Sequence, residues 1–234
     1  MVGRLTDAYL ELDGGVGLSD RLIDRVDAVC GQVDEARKNV TVLVWITGGG
    51  ADEADEPWPY DVGVHTVNRW ERALRRLERL PAVTLTVVDG ACRGPALDVL
   101  LATDYRIAAR DTWLGISSVG GSTWPGMALY RLVNQLGVAR ARQAALFGVE
   151  VPAARALGWG LLDEVVDDTV ARAREVLDAF GPISGKELSI RRQLLAEATS
   201  TSFEDALGAH LAACDRALRR AGTGPDAGSG MPAA

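Results

Sequence analysis

Lysine is almost missing: only Lys38 and Lys186 stand among the 25 basic residues of this 234-residue chain. A Schiff-base lysine is thus nearly excluded on supply. Histidine is as scarce, and His65 and His210 lie too far apart in sequence to suggest a zinc cluster. The three cysteines, Cys30, Cys92 and Cys214, are odd in number and widely spaced. That argues against both a disulfide framework and a structural zinc site. No apolar run approaches the 18 residues of a membrane span, and the first twelve residues lack the apolar core of a signal peptide. These absences point to a reduced, cytoplasmic protein. Also missing are the G-x-G-x-x-G dinucleotide turn, the Lys-Ser/Thr ending of a phosphate loop and the G-x-S-x-G nucleophile elbow.

What is present is a large supply of core residues. The chain is 47% hydrophobic, and its formal charge of −7 makes nucleic acid an unsuitable partner unless one face gathers the arginines. Ala8–Leu12 reads as a strand ending at Asp13-Gly14-Gly15. Ser19 then caps a helix to about Ala36. Val40–Thr47 is an almost continuous apolar run, as expected of a strand covered on both faces.

An acidic loop over 51–63 holds Pro57, Trp58, Pro59 and Tyr60; Trp58 there is either a ligand wall or a loop anchor. The helix Val64–Leu80 carries Val67, Trp70, Leu74 and Leu77 as its apolar stripe. Glu71 and Arg75 have the spacing of an exposed ion pair. Its arginines read as a solvated or interface surface, with Arg69 and Arg72 open to phosphate groups. Strands Ala82–Val88 and Tyr105–Ala109 follow, with a further one at Trp113–Ile116. Helices run over 124–137, 139–147, 152–157, 168–180 and 185–220. Alternating strands and helices followed by helices alone imply an α/β core, 1–167, and a helical C-terminal region, 168–220. The Gly-, Ala- and Pro-rich tail 221–234 reads as disordered.

The densest signal is Val88–Asp98, which reads as strand, glycine turn and helix start. A helix N-terminus over the end of a buried strand presents free N–H groups and partial positive charge. Such a place binds an anion or stabilises one that develops in a transition state. Asp98, in the first turn, is the one candidate acid or base; the same carboxylate would serve equally as a helix cap. Pro95 stands where the first helical N–H is unneeded.

The Val40–Gly50 strand and glycine turn, Leu80-Pro81-Ala82, Val88–Asp98, Thr103–Ala108, Trp124-Pro125-Gly126 and Ala153–Val166 resemble, in order and spacing, the crotonase (enoyl-CoA hydratase/isomerase) superfamily. The resemblance implies a ClpP/crotonase spiral of βα turns that binds an acyl-CoA. Its thioester carbonyl would lie in an oxyanion hole, for which Gly94, Ala96 and Gly50 are the candidates. Asp98 matches the first catalytic glutamate of the hydratases, one methylene shorter. Ser118 matches the second and carries no carboxylate. Arg93, Ser118, Trp58, Tyr60 and Trp124 are expected to line the pocket. No tightly bound cofactor or metal is implied; coenzyme A enters as part of the substrate.

A narrower resemblance covers nearly the whole chain. Lys38–Val44, Trp70–Leu80, Gly94–Ala108 and Thr123–Ala128 are similar to the short DpgB crotonases of 3,5-dihydroxyphenylglycine biosynthesis. It implies an enzyme that assists dehydration and aromatisation of a polyketide CoA thioester to 3,5-dihydroxyphenylacetyl-CoA, beside a type III polyketide synthase and other crotonase homologues. The alternative is a non-catalytic accessory protein that binds and activates the synthase. Crotonase kinship also implies a homotrimer or homohexamer; the charge and the lack of a long apolar run leave neither nucleic acid nor membrane as an expected partner.

Overall fold

The computed structural model describes residues 6, 8–36, 39–48, 62–116, 118–119 and 122–222. The chain opens with β1 (Ala8–Asp13), α1 (Asp20–Glu35), β2 (Thr41–Thr47), α2 (Val64–Glu78) and β3 (Val83–Asp89). It continues through β4 (Ala91–Arg93), α3 (Pro95–Leu101), β5 (Tyr105–Ala109) and β6 (Trp113–Gly115). A hairpin of β7 (Ser118–Val119) and β8 (Ser122–Thr123) precedes α4 (Ala128–Leu136) and α5 (Val138–Phe147). Then come β9 (Val151–Pro152), α6 (Ala153–Trp159), β10 (Glu164–Val166) and α7 (Thr169–Phe180). The last helices are α8 (Gly185–Glu197) and α9 (Phe203–Gly222).

Five strands in the order β1-β2-β3-β5-β10 form an all-parallel sheet. Parallel sheets are covered on both faces, and the side chains divide accordingly. Val42, Val44, Ile46 and Val88 pack with Leu22, Val26, Leu74 and Leu100 of α1, α2 and α3. Leu43, Trp45, Leu85, Val87 and Ile107 meet Ala173, Val176 and Leu177 of α7 on the other face. β4, β6 and β9 make a smaller sheet. The α/β architecture with a parallel core and a helical C-terminal region is therefore the one expected.

The passage between the two sheets is tight. A Cβ on Gly14 would lie 1.7 Å from the Ala91 carbonyl oxygen, and one on Gly48 would lie 2.3 Å from the same atom. Glycine is needed at both turns because backbone meets backbone there. Gly14 in turn accepts the Arg93 amide at 2.7 Å.

The chain divides into two compact units, 1–188 and 189–234, the division falling inside α8. α7, at the start of the expected helical region, packs on β3 and β5 within the first unit. The long helix expected over 185–220 is two helices, interrupted at residues 198–202. Thr199, Ser200 and Thr201 hydroxyls there bond back to carbonyls of Ala196 and Glu197, as such side chains do when they compete with the helix ladder. α9 runs to Gly222, past the expected start of the tail, and residues 223–234 lie outside the described ones.

Arg106 on β5 pins the site from below. Buried, it donates to the carbonyls of Leu101, Thr103 and Leu161 and to the Gln135 side chain at 2.8–3.3 Å. It thereby closes the C-terminal end of α3 against α4 and the segment after α6. Burial pulls its guanidinium down to about 10, opposed by the charges of Asp163 and Asp104. Arg106→Met keeps the volume and takes this donor from the carbonyls of Thr103 and Leu161, while the Leu101 carbonyl keeps the Gln135 amide. Urea unfolding should show a loss of about 3 kcal/mol or more, the scale of several buried groups left unbonded. A loss below about 1 kcal/mol would mean that water replaces the guanidinium.

Candidate active site

The N-cap of α3 is Gly94, at φ 51° and ψ −125°, a region that side chains rarely enter. Pro95 follows at the first helical position, as expected. The amide of Gly94 is spent on the Gly115 carbonyl at 3.2 Å, which ties β4 to β6. It is thus unavailable as the thioester donor that the sequence suggested, and Pro95 has no N–H to give. The amide of Ala96, in the first turn of α3, has no partner among the described residues.

A small cavity, open to solvent at its mouth, lies over this helix start. Its walls are Leu18, Val67, Leu97, Ile116 and Ala128, with the indoles of Trp70 and Trp124. Gly94, Pro95, Asp98 and Glu71 complete the lining. Apolar and aromatic walls with few polar groups are the ordinary make-up of a small-molecule site.

Asp98 caps nothing. Its Oδ2 accepts the Trp70 indole N–H at 3.0 Å, and its Oδ1 has no partner among the described residues. The alternative of a helix-capping carboxylate is therefore not met, since no side chain caps this helix. Burial pushes the Asp98 carboxyl up to about 6; the Glu71 charge adds to this, while the Trp70 hydrogen bond and Arg131 oppose it. A carboxyl tuned to that range takes and returns protons near neutral pH.

Glu71 is not in the exposed pair expected for it. Its Oε2 accepts Arg131 of α4 at 2.9 Å, and Arg131 also donates to Glu78 at 2.6 Å. Arg75 turns instead to Glu78 at 2.9 Å. Arg131 is buried between the two glutamates, and a buried cation without such partners is costly. Of the two arginines offered for phosphate, Arg69 bonds Asp20 and Asp24 of α1, while Arg72 is exposed on α2.

Of the side chains expected at the pocket, the structure brings Asp98 and Trp124 together, with Gly94 beside them. Arg93 faces away, its guanidinium paired with Glu150. Ala96 is fully buried and does not line the cavity. Ser118 pairs through its backbone with Thr123 in β7–β8, and its side chain lies outside the described residues. Gly50, Trp58 and Tyr60 also lie outside them.

Trp70, Glu71 and Arg131 were missed as site residues. Trp70 carried a usable signal, because an indole N–H on a buried stripe needs an acceptor. Arg131 carried another, standing beside Leu132 on an apolar helix face. Cys92, fully buried and pushed far up by burial, is no nucleophile. No three His, Cys, Asp or Glu among the described residues converge as a metal site requires. No helix among them is long and apolar enough to cross a membrane.

The profile of the enoyl-CoA hydratase/isomerase family matches residues 64–223. A protein of Amycolatopsis orientalis described as an enoyl-CoA hydratase is 45% identical over 217 residues, spanning 93% of this chain and 98% of that one. Among solved structures, an enoyl-CoA hydratase from Bacillus anthracis superposes with a TM-score of 0.69 at 20% identity, over 92% of this chain and 90% of its own. One from Thermoplasma volcanium gives 0.72 at 20% identity, over 87% and 84%. These two establish the common fold.

The Asp98 environment has a consequence for stability. Because its folded pKa, about 6, exceeds the ordinary 3.8, the native state holds this proton more tightly than the unfolded one. The contribution is fully present below about pH 4 and is lost as pH rises through 6. Asp98→Asn removes the titration while its side-chain oxygen still accepts from Trp70. Urea unfolding should show the variant gaining on the parent by about 1–2 kcal/mol between pH 5 and pH 8. A difference that does not change over that interval would show that Asp98 is solvated like a surface carboxylate.

Proposed function

The chain belongs to the enoyl-CoA hydratase/isomerase family, and we propose that it dehydrates and aromatises a polyketide CoA thioester to 3,5-dihydroxyphenylacetyl-CoA. It is an enzyme of the lyase or isomerase kind, and coenzyme A enters as part of its substrate. The observation that carries the proposal is Asp98, with Oδ1 unpartnered among the described residues on the wall of a cavity lined by Trp70 and Trp124. One carboxylate suits this reaction. The driving force of aromatisation lowers the help that each proton transfer needs.

The thioester carbonyl would lie at the start of α3, beside Gly94 and Pro95, which turns the acyl ring toward Asp98. Asp98 then takes a proton from a ring carbon, and the C–H electron pair becomes the new ring double bond. The neighbouring C–O bond breaks, and its hydroxyl leaves as water with the proton that Asp98 returns. The carboxylate is regenerated and no oxidant is consumed. Trp70 holds Asp98 through the other oxygen, leaving Oδ1 for the substrate. Ser118 is a pocket-lining residue in this reading, without a base to make it a nucleophile.

The unpaired thiols of Cys30, Cys92 and Cys214 support a cytoplasmic location. Tyr130, Val138, Leu146 and Phe147 are exposed along α4 and α5. Apolar residues grouped in this way support self-association, in which we include the trimer or hexamer. Light scattering should return a mass three or six times 24.9 kDa, and Phe147→Glu should lower it. A parent protein that runs as a monomer would remove this part of the reading.

The reaction is tested by mass analysis of products from malonyl-CoA and a type III polyketide synthase, with and without this protein. The expected result is a change of product to the aromatic thioester. Asp98→Asn at equal concentration should reduce it about 100-fold or more, the scale of a positioned proton-transfer group. A change of rate alone, with Asp98→Asn active within about threefold, would favour a non-catalytic partner of the synthase.

A further inference from the structure

The cavity holds a second carboxylate that the proton transfer above does not use. Glu71 follows Trp70 on α2 and lines the same wall as Asp98. The protein engages each carboxylate through one oxygen only. Trp70 takes Oδ2 of Asp98, and Arg131 takes Oε2 of Glu71. Oδ1 and Oε1 have no partner among the described residues. Both residues line one small cavity, and each keeps an acceptor oxygen that the protein does not engage among the described residues.

The fixing of Glu71 is unusually firm for a glutamate. Arg131 is buried, and its second partner, Glu78, holds the guanidinium from the other side at 2.6 Å. Arg75 in turn holds Glu78. A surface glutamate has several rotamers to lose on meeting a ligand; this one has been ordered on folding. The same arrangement spends the charge of Arg131. Between them, Glu71 and Glu78 leave it no strong attraction for a further anion. The indole N–H of Trp70 is also spent, on Asp98.

We propose that Glu71 is a substrate-orienting and specificity-determining residue, whose Oε1 accepts a hydrogen bond from a hydroxyl on the acyl group. It does so beside Asp98, and so selects which ring position lies against that carboxylate. Its charge turns away acyl groups that carry a carboxylate of their own. The substrate class is accordingly an uncharged, hydroxyl-bearing ring, flat enough to lie between Trp70 and Trp124. The inference rests on the proposed thioester binding.

Calorimetric titration with three thioesters separates the two. Phenylacetyl-CoA, 3-hydroxyphenylacetyl-CoA and (3-carboxyphenyl)acetyl-CoA differ only at the ring. The parent protein should bind the hydroxyl compound about tenfold more tightly than the unsubstituted one, the scale of a hydrogen bond to a charged group. The carboxyl compound should bind weakest. In Glu71→Gln the hydroxyl preference should fall below about threefold, and the carboxyl compound should gain about tenfold. Glu78→Gln removes the charge of Arg131's other partner without touching the cavity, and it should keep the parent's order of preference. If both variants change the order alike, the ion cluster is structural and the inference is overturned. An unchanged order in Glu71→Gln overturns it too. If the parent binds none of the three, the thioester reading itself fails, and this inference with it.

Discussion

The carbonyl of Ala91 is the point on which the site depends. Two strands of the large sheet end in glycine turns, at Gly14 and at Gly48, and both turns close on that one carbonyl. Gly90, at φ 96°, lets the chain leave β3 and pass between them. No side chain fits at either turn, so β4 can run in only one place. From there Gly94 reverses direction, and α3 starts over the ends of the parallel strands. Asp98 stands one turn further on. The position of the Asp98 carboxylate is thus fixed by a contact between backbones, about as rigid a reference as a protein can build.

Around that carboxylate the protein manages charge by contrast. Asp98 has a neutral donor, Trp70, and apolar walls; its neighbour Glu71 has a buried guanidinium. The apolar walls favour holding a proton, the Trp70 hydrogen bond opposes this, and Glu71 provides a standing negative charge that presses Asp98 the same way as the walls. Arg131 works against both, from farther off. Had it bonded Asp98 directly, that carboxyl would have become an ordinary ion-paired acid with little use for its proton. The two glutamates prevent this by occupying the guanidinium.

Much of this was legible in the sequence, for definite reasons. Val40–Thr47 and Ala82–Val88 are nearly continuous apolar runs, and both became central parallel strands. The glycine turn at Val88–Asp98 located α3 and Asp98 within it. Strand β4 was not legible, because Ala91-Cys92-Arg93 is three residues long and its pairing partner β6 lies some twenty residues on. Glu71 was read against Arg75 by helix spacing alone. The rule is local, while the cation that takes Glu71 comes from α4, sixty residues away. Gly94 was offered as a donor for a related reason: only the fold reveals that Gly115 has claimed its amide.

These misreadings share a cause, and it bears on how the family's chemistry is reached here. Spacing along one element assigns a polar group to its nearest neighbour in sequence. A buried site is assembled instead by elements that meet only after the core has formed. The family resemblance sets Ser118 against the second glutamate, which alone suggests a site reduced to one carboxylate. The cavity nevertheless contains two, the second coming from α2 and held by α4. Loss of a carboxylate at one position of a motif is therefore weak ground for calling a site idle. The number of carboxylates is a property of the cavity, which several elements of the fold supply.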